Sequence, residues 1–178
     1  MARRFLLILL LVAVPQALMA ATLRVGMSAD YPPLTYKQEG KMVGLEADNA
    51  RAVAELLDMK LELVELPFAD LIPALEEGRI DVIMSGFSIT EDRAQRVVFV
   101  DPYLDIGQML ITLTEKAGGF VQAWTIYREG LRIGVEPGTT GAEFAARELT
   151  EAVIVEYPEP TAAFEGLRRN EIVAYIHD

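Results

Sequence analysis

The chain has 178 residues, a formal net charge of -11, no cysteine and one histidine. That length suits one ordinary domain or two small lobes. The acidic balance excludes a phosphate-neutralising nucleic-acid binder and an electrostatic membrane-surface binder, and the lack of cysteine excludes disulfides, thiolate metal sites and a Cys nucleophile.

In chain order, the first element is an address. Met1 to Arg4 is short and positive, Phe5 to Val14 is an unbroken apolar run, and Pro15-Gln16 ends it before Ala17 to Ala21. This is the order of a secretory signal peptide, and the run is too short to span a bilayer. Residues 1–20 are therefore expected to be cleaved near Ala20 on export.

Thr22 to Met27 alternates and ends beside Ser28 in a loop with two prolines, so it is predicted to be a strand. Leu45 to Asp58 carries Ala47, Ala50, Val53, Ala54 and Leu57 at helical spacing. Leu61 to Leu66 alternates strictly and reads as a strand. Asp70 to Glu77 is a short helix that Gly78 stops, and Ile80 to Met84 is a buried strand. Thr90 caps a short helix over Glu91 to Gln95, Val97 to Val100 is extended, and Ile106 to Thr114 is another strand. Near Glu115 the pattern restarts. A helix is expected over Phe120 to Arg128, a strand over Leu131 to Val135, a helix over Ala142 to Leu149, a strand over Ala152 to Glu156, a helix over Thr161 to Arg169 and a strand over Ile172 to Ile176. Repeated strand–helix alternation predicts an α/β fold with helices on both faces of a parallel-rich sheet. Two such runs predict two lobes, 21–114 and 115–178.

Loops after parallel strands sit where ligands bind in such sheets. Ser85 to Arg93 runs from a strand end into a helix start, which suits an anion, and Arg93 could fork a carboxylate. Equally, Arg93 could be a surface residue paired with Glu91 or Asp92. Val135 to Gly141 is a second strand–turn–helix start, rich in donors; a plain turn with a threonine cap explains it as well. Asp178 follows a buried strand and could hold an ammonium group or simply be solvated. His177 has no partner pattern and reads as a structural histidine. Tyr31, Phe68 and Tyr103 lie in or beside loops, where each could be core or cleft.

Together, Leu71-Ile72-Pro73-Ala74-Leu75, Gly78-Arg79-Ile80-Asp81, Gly86 to Arg93 and Val98 to Tyr103 resemble the signature of the bacterial extracellular solute-binding proteins of family 3. Members of that family carry polar amino acids to ABC importers. The likeness runs from Leu23 to Asp178, with Val135 to Gly141 similar to the family's Gly-Thr-Thr turn. The resemblance implies a two-lobed, type II periplasmic-binding-protein-like fold closing on one amino acid. It assigns the ligand α-carboxylate to Arg93, to the backbone of Gly86 and Ser88, and to the Ser88 hydroxyl. Thr140 would add a donor from the second lobe, Asp178 would accept from the α-ammonium, and Tyr31 and Phe68 would wall the pocket.

The same resemblance implies a monomer in the periplasm, a transient inner-membrane ABC permease as partner, no nucleic acid, no metal, no cofactor and no catalysis. Three positions depart from the family's habit: Ser28 replaces an acid, Asn49 an aliphatic residue, and Glu136 a Lys or Gln. Family chains also continue past the position of Asp178, so the second lobe is expected to be incomplete. Two alternatives keep the fold. One is an exported cyclohexadienyl dehydratase, with His177 or Glu136 as the proton-transfer group. The other is the ligand-binding domain of a sensor or receptor.

Overall fold

The computed structural model describes residues 21–178; the expected signal peptide lies outside them. The chain forms two α/β lobes, each with a small sheet covered on both faces.

In the first lobe, β1 (Thr22–Met27) lies between β5 (Lys60–Glu65) and β6 (Val82–Ile83), all parallel. Strand β1 pairs with β5 from Thr22 opposite Lys60 to Met27 opposite Glu65. Helix α1 (Leu45–Leu56) buries Ala47, Ala50 and Ala54 against Leu23, Val25 and Met27. The three alanines repeat at helical spacing and are small enough for a close approach to the sheet. The opposite face is covered by α2 (Leu71–Glu76), where Leu71 and Ala74 pack with Ile80. Asp30–Tyr31 (β2), Thr35–Gln38 (β3) and Lys41–Val43 (β4) form a small antiparallel sheet beside this lobe.

Helix α3 (Glu91–Ala94) leads to the crossing between lobes, and β7 (Met109–Ile111) already belongs to the second sheet. The expected division at residue 114 thus leaves β7 on the first-lobe side although it pairs with the second lobe. That sheet has the order β7, β10 (Ala174–His177), β8 (Arg132–Val135), β9 (Val153–Glu156). Pairing is parallel except between β7 and β10. Side chains alternate across it. Ile133, Val135, Ala174 and Ile176 pack with α4 (Thr140–Glu148), while Tyr175 packs on the other face with Ala163 and Leu167 of α5 (Pro160–Arg168).

Three sequence expectations need correction. Val97 to Val100 forms no strand; Val98 is 100% exposed because no neighbouring strand takes up its backbone groups. The strand expected over Ile106 to Thr114 is limited to the three residues that face β10. The helix expected over Phe120 to Arg128 is replaced by 3-10 turns over Thr114–Phe120 and Ala123–Tyr127.

Candidate ligand-binding site

The carboxyl ends of β1, β6, β8 and β10 converge on a narrow cleft between the lobes. All seven residues singled out above line it: Tyr31, Phe68, Gly86, Ser88, Arg93, Thr140 and Asp178.

Arg93 is delivered by a four-residue helix whose cap is Thr90; the Arg93 backbone N–H donates to Thr90 Oγ1 at 3.3 Å. Its guanidinium carbon lies 4.3 Å from the Phe87 ring centre and 5.6 Å from that of Phe68. The two rings stack on each other. Nη1 donates to the Ser88 carbonyl at 2.7 Å, and Nη2 reaches across the lobes to the Gly138 carbonyl at 2.8 Å. Gly138 allows that approach, since a Cβ there would stand 3.2 Å from Ala69. Arg93 is only 5% exposed, and burial lowers the affinity of its guanidinium for a proton, with Glu143 and Asp178 opposing. Among the described residues it forms no ion pair within 4.0 Å. A guanidinium carries five donors, and two are used here on carbonyls. A buried cation without a counter-charge is costly, so this geometry favours an incoming anion, and a planar carboxylate fits the fork.

The opposite charge stands at the end of β10. Thr140 Oγ1 donates to Asp178 Oδ2 at 3.4 Å and accepts from Gln108 Nε2 at 2.8 Å. The neighbouring Thr139 caps α4, so the threonine-cap reading and the cleft reading of this turn both hold, on adjacent residues. The His177 ring is less structural than its sequence suggests. It lines the cleft, its Nδ1 lies 2.7 Å from the Asp178 carbonyl, and its ring meets Tyr31 edge-on at 4.9 Å across the lobes. Burial, then the Asp178 charge, push the Tyr31 hydroxyl up, keeping it protonated as a donor.

One role differs from the resemblance. The Gly86 N–H does not point to a ligand carboxylate; it donates to Glu46 Oε1 at 2.7 Å. Glu46 is 3% exposed and also accepts from the Tyr103 hydroxyl at 2.5 Å. Gly86 is needed for its backbone instead, with φ +60 and both Tyr31 and Leu34 within 2.9 Å of where a Cβ would be.

The cleft holds two further acids: Asp30, which the sequence does not single out, and Glu136, read there as a departure from the family's habit and a candidate proton-transfer group. Glu136 is 5% exposed and accepts no hydrogen bond from the described residues on its carboxyl. Burial first, then the charges of Asp30, Asp178 and Glu159, push its carboxyl up to about 8. Burial raises Asp30 as well, against a stabilising contact from Ser28. No helix among the described residues is long and apolar enough to cross a membrane.

Residues 23–171 match the sequence profile of "Bacterial extracellular solute-binding proteins, family 3". The cyclohexadienyl dehydratase of Pseudomonas aeruginosa is 34% identical over 149 residues, which is 83% of this chain and 56% of that protein. A probable histidine-binding protein of Campylobacter jejuni is 33% identical over 157 residues, 88% of this chain and 60% of that one. The crystal structure of an ancestral amino acid-binding protein, a precursor of cyclohexadienyl dehydratase, superposes with a TM-score of 0.85 at 33% identity, over 89% of this chain and 70% of that one. The chain thus spans 56% and 60% of the length of these two curated relatives.

Proposed function

This chain belongs to the bacterial extracellular solute-binding proteins, family 3, and from that premise we propose that it captures an amino-acid zwitterion and presents it to an inner-membrane ABC permease. One observation carries the reading: a buried Arg93 with no ion-pair partner among the described residues shares the cleft between the lobes with an acid, Asp178. Each end of a zwitterion then meets its opposite charge, which offsets the cost of taking both ends out of water. In this reading Arg93 and the Ser88 hydroxyl hold the α-carboxylate and Thr140 adds a donor. Asp178 accepts from the α-ammonium, Gly86 shapes the loop, and Tyr31 and Phe68 wall the ligand. Contacts from both lobes couple binding to closure. The protein acts in the periplasm after its first twenty residues are removed, in two lobes that divide near residue 114, as a monomer without cofactor or turnover.

Calorimetry with an L-amino acid, its α-amide and its N-acetyl derivative tests this. The parent amino acid should bind 1:1, and each blocked form at least about 100-fold more weakly, as expected when a buried charge loses its partner. Equal binding of the α-amide would remove Arg93 from its role.

A second reading, an exported dehydratase, is favoured by Glu136. A carboxyl held protonated at neutral pH in a cleft is what a general acid requires. Conversion of prephenate that disappears in Glu136→Gln would support it, and no conversion would leave binding alone.

A further inference from the structure

We infer that Ala69 and Gly138 are a positioning pair for ligand capture: their contact across the lobes sets how closely the cleft shuts and, through the Gly138 carbonyl, aims Arg93. This deepens the amino-acid reading and rests on it.

Neither residue lines the ligand cleft. They meet beside a second hollow, which shares Phe68 and Arg93 with that cleft. Ala69 sits in the first lobe, in a 3-10 turn over Phe68–Asp70 that runs straight into α2. The Asp70 N–H donates to the Pro67 carbonyl at 2.9 Å and closes that turn. Gly138 sits in the second lobe, in the turn between β8 and α4. That turn is braced from within. Thr139 Oγ1 donates to the Glu136 carbonyl at 2.7 Å and accepts from the Ala142 N–H at 3.2 Å. Each partner is therefore a short, tied piece of backbone that cannot swing aside as a long side chain would.

The approach is close. A Cβ on Gly138 would stand 3.2 Å from both the Cα and the Cβ of Ala69. Carbon atoms pack best at about 3.5–4.0 Å, so one added methyl group forces the two turns apart by a few tenths of an ångström. The same glycine holds Arg93. Its carbonyl accepts from Nη2 at 2.8 Å, while the Ser88 carbonyl, on Arg93's own lobe, accepts from Nη1 at 2.7 Å. One carbonyl from each lobe thus fixes the plane of the guanidinium. Parting the turns stretches the Gly138 bond, and the fork that would hold a ligand carboxylate is free to turn. Apparent affinity scales with the fraction of molecules in the competent arrangement. The pair touches no ligand, so it acts on every ligand by the same factor.

The test uses the whole protein. The twenty amino acids are screened for a melting shift, and those that shift the parent are titrated by calorimetry. Gly138→Ala should weaken each of them about tenfold, by a common factor and through faster dissociation. Gly130→Ala is the control. Gly130 has φ +74 with nothing within 4 Å of its Cβ position, against φ +79 at Gly138, so it carries the same backbone strain without a contact between lobes. It should lose stability like Gly138→Ala and bind like the parent. Adding Ala69→Gly to Gly138→Ala should recover at least about threefold of the affinity, the coupling expected of residues in contact. If Gly138→Ala does not melt cooperatively, Ala69→Val, which crowds the contact from the other lobe, should show the same common loss. Parent-like affinity in the crowded variant, or an equal loss in Gly130→Ala, would overturn the pair's role and leave the amino-acid reading standing. If no amino acid binds the parent, that reading falls. The pair is then judged by the distance between spin labels on Glu55→Cys of α1 and Glu148→Cys of α4, in a chain with no other cysteine. A distance that Gly138→Ala does not lengthen would overturn the pair as well.

Discussion

Replacing Glu136 by glutamine should flatten the pH dependence of stability in the ligand-free protein. Burial, with Asp30, Asp178 and Glu159 behind it, pushes the Glu136 carboxyl up to about 8. An unfolded glutamate titrates near ~4.3. Between those values the folded state holds a proton that the unfolded chain gives up. The stability this confers is fully present below the unfolded value and is lost as pH rises through 8. At about 1.4 kcal/mol per pH unit the whole interval is worth roughly 5 kcal/mol. Glu136 borders a cleft rather than a dry core, so water relieves part of this and about 2–3 kcal/mol is the working figure. For a chain of this size that is about 5–10 °C in melting temperature. Scanning calorimetry without ligand from pH 5 to pH 8 should show the parent falling by that amount and Glu136→Gln falling much less. The remainder comes from Asp30, which burial shifts the same way. Parallel curves for the two proteins would refute the burial argument for Glu136.

Three further outcomes follow from the site. Arg93→Ala should weaken amino-acid binding at least about 100-fold by calorimetry while the protein still melts cooperatively, because truncating one side of a buried charge pair typically costs several kcal/mol. Tyr175→Phe removes a buried hydroxyl that has no partner among the described residues, so urea unfolding should find it neutral or stabilised by up to about 2 kcal/mol; a loss above about 1 kcal/mol would mean the hydroxyl is bonded. Glu46→Gln weakens the acceptor shared by the Gly86 N–H and the Tyr103 hydroxyl. It should cost about 1–3 kcal/mol in urea unfolding and loosen the loop that leads to Arg93, with amino-acid affinity falling alongside.

Much of the frame is legible in residue order. Alternation in Thr22–Met27 and the alanine stripe of α1 specify their own packing, because period and burial agree at each residue. The run from Gly86 to Arg93 announces a strand end, a capped helix start and a forked cation within eight residues. Other parts depend on partners that local pattern cannot reveal. Val98 and Val100 have the residue types of a strand but lie in solvent. The small sheet of β2, β3 and β4 has a tight turn in which Glu39 and Gly40, both at positive φ, join Gln38 to Lys41. Asp30 and Glu136 lie more than a hundred positions apart, and each is an ordinary acid in its own stretch of chain. Only folding two lobes onto one cleft turns them into neighbours and gives Glu136 its perturbed proton. The Gly86 N–H is a related case, since its acceptor Glu46 sits forty residues earlier on a helix whose acid would be expected in water.

The most direct test of the central claim is the melting curve of the protein alone and with each of the twenty amino acids in excess. Ligand at about a hundred times its dissociation constant stabilises a fold by roughly 2.7 kcal/mol, about 5–10 °C at this size. That upward shift is expected for a few chemically related amino acids and none for the rest. A cooperative melt that no amino acid moves would contradict it.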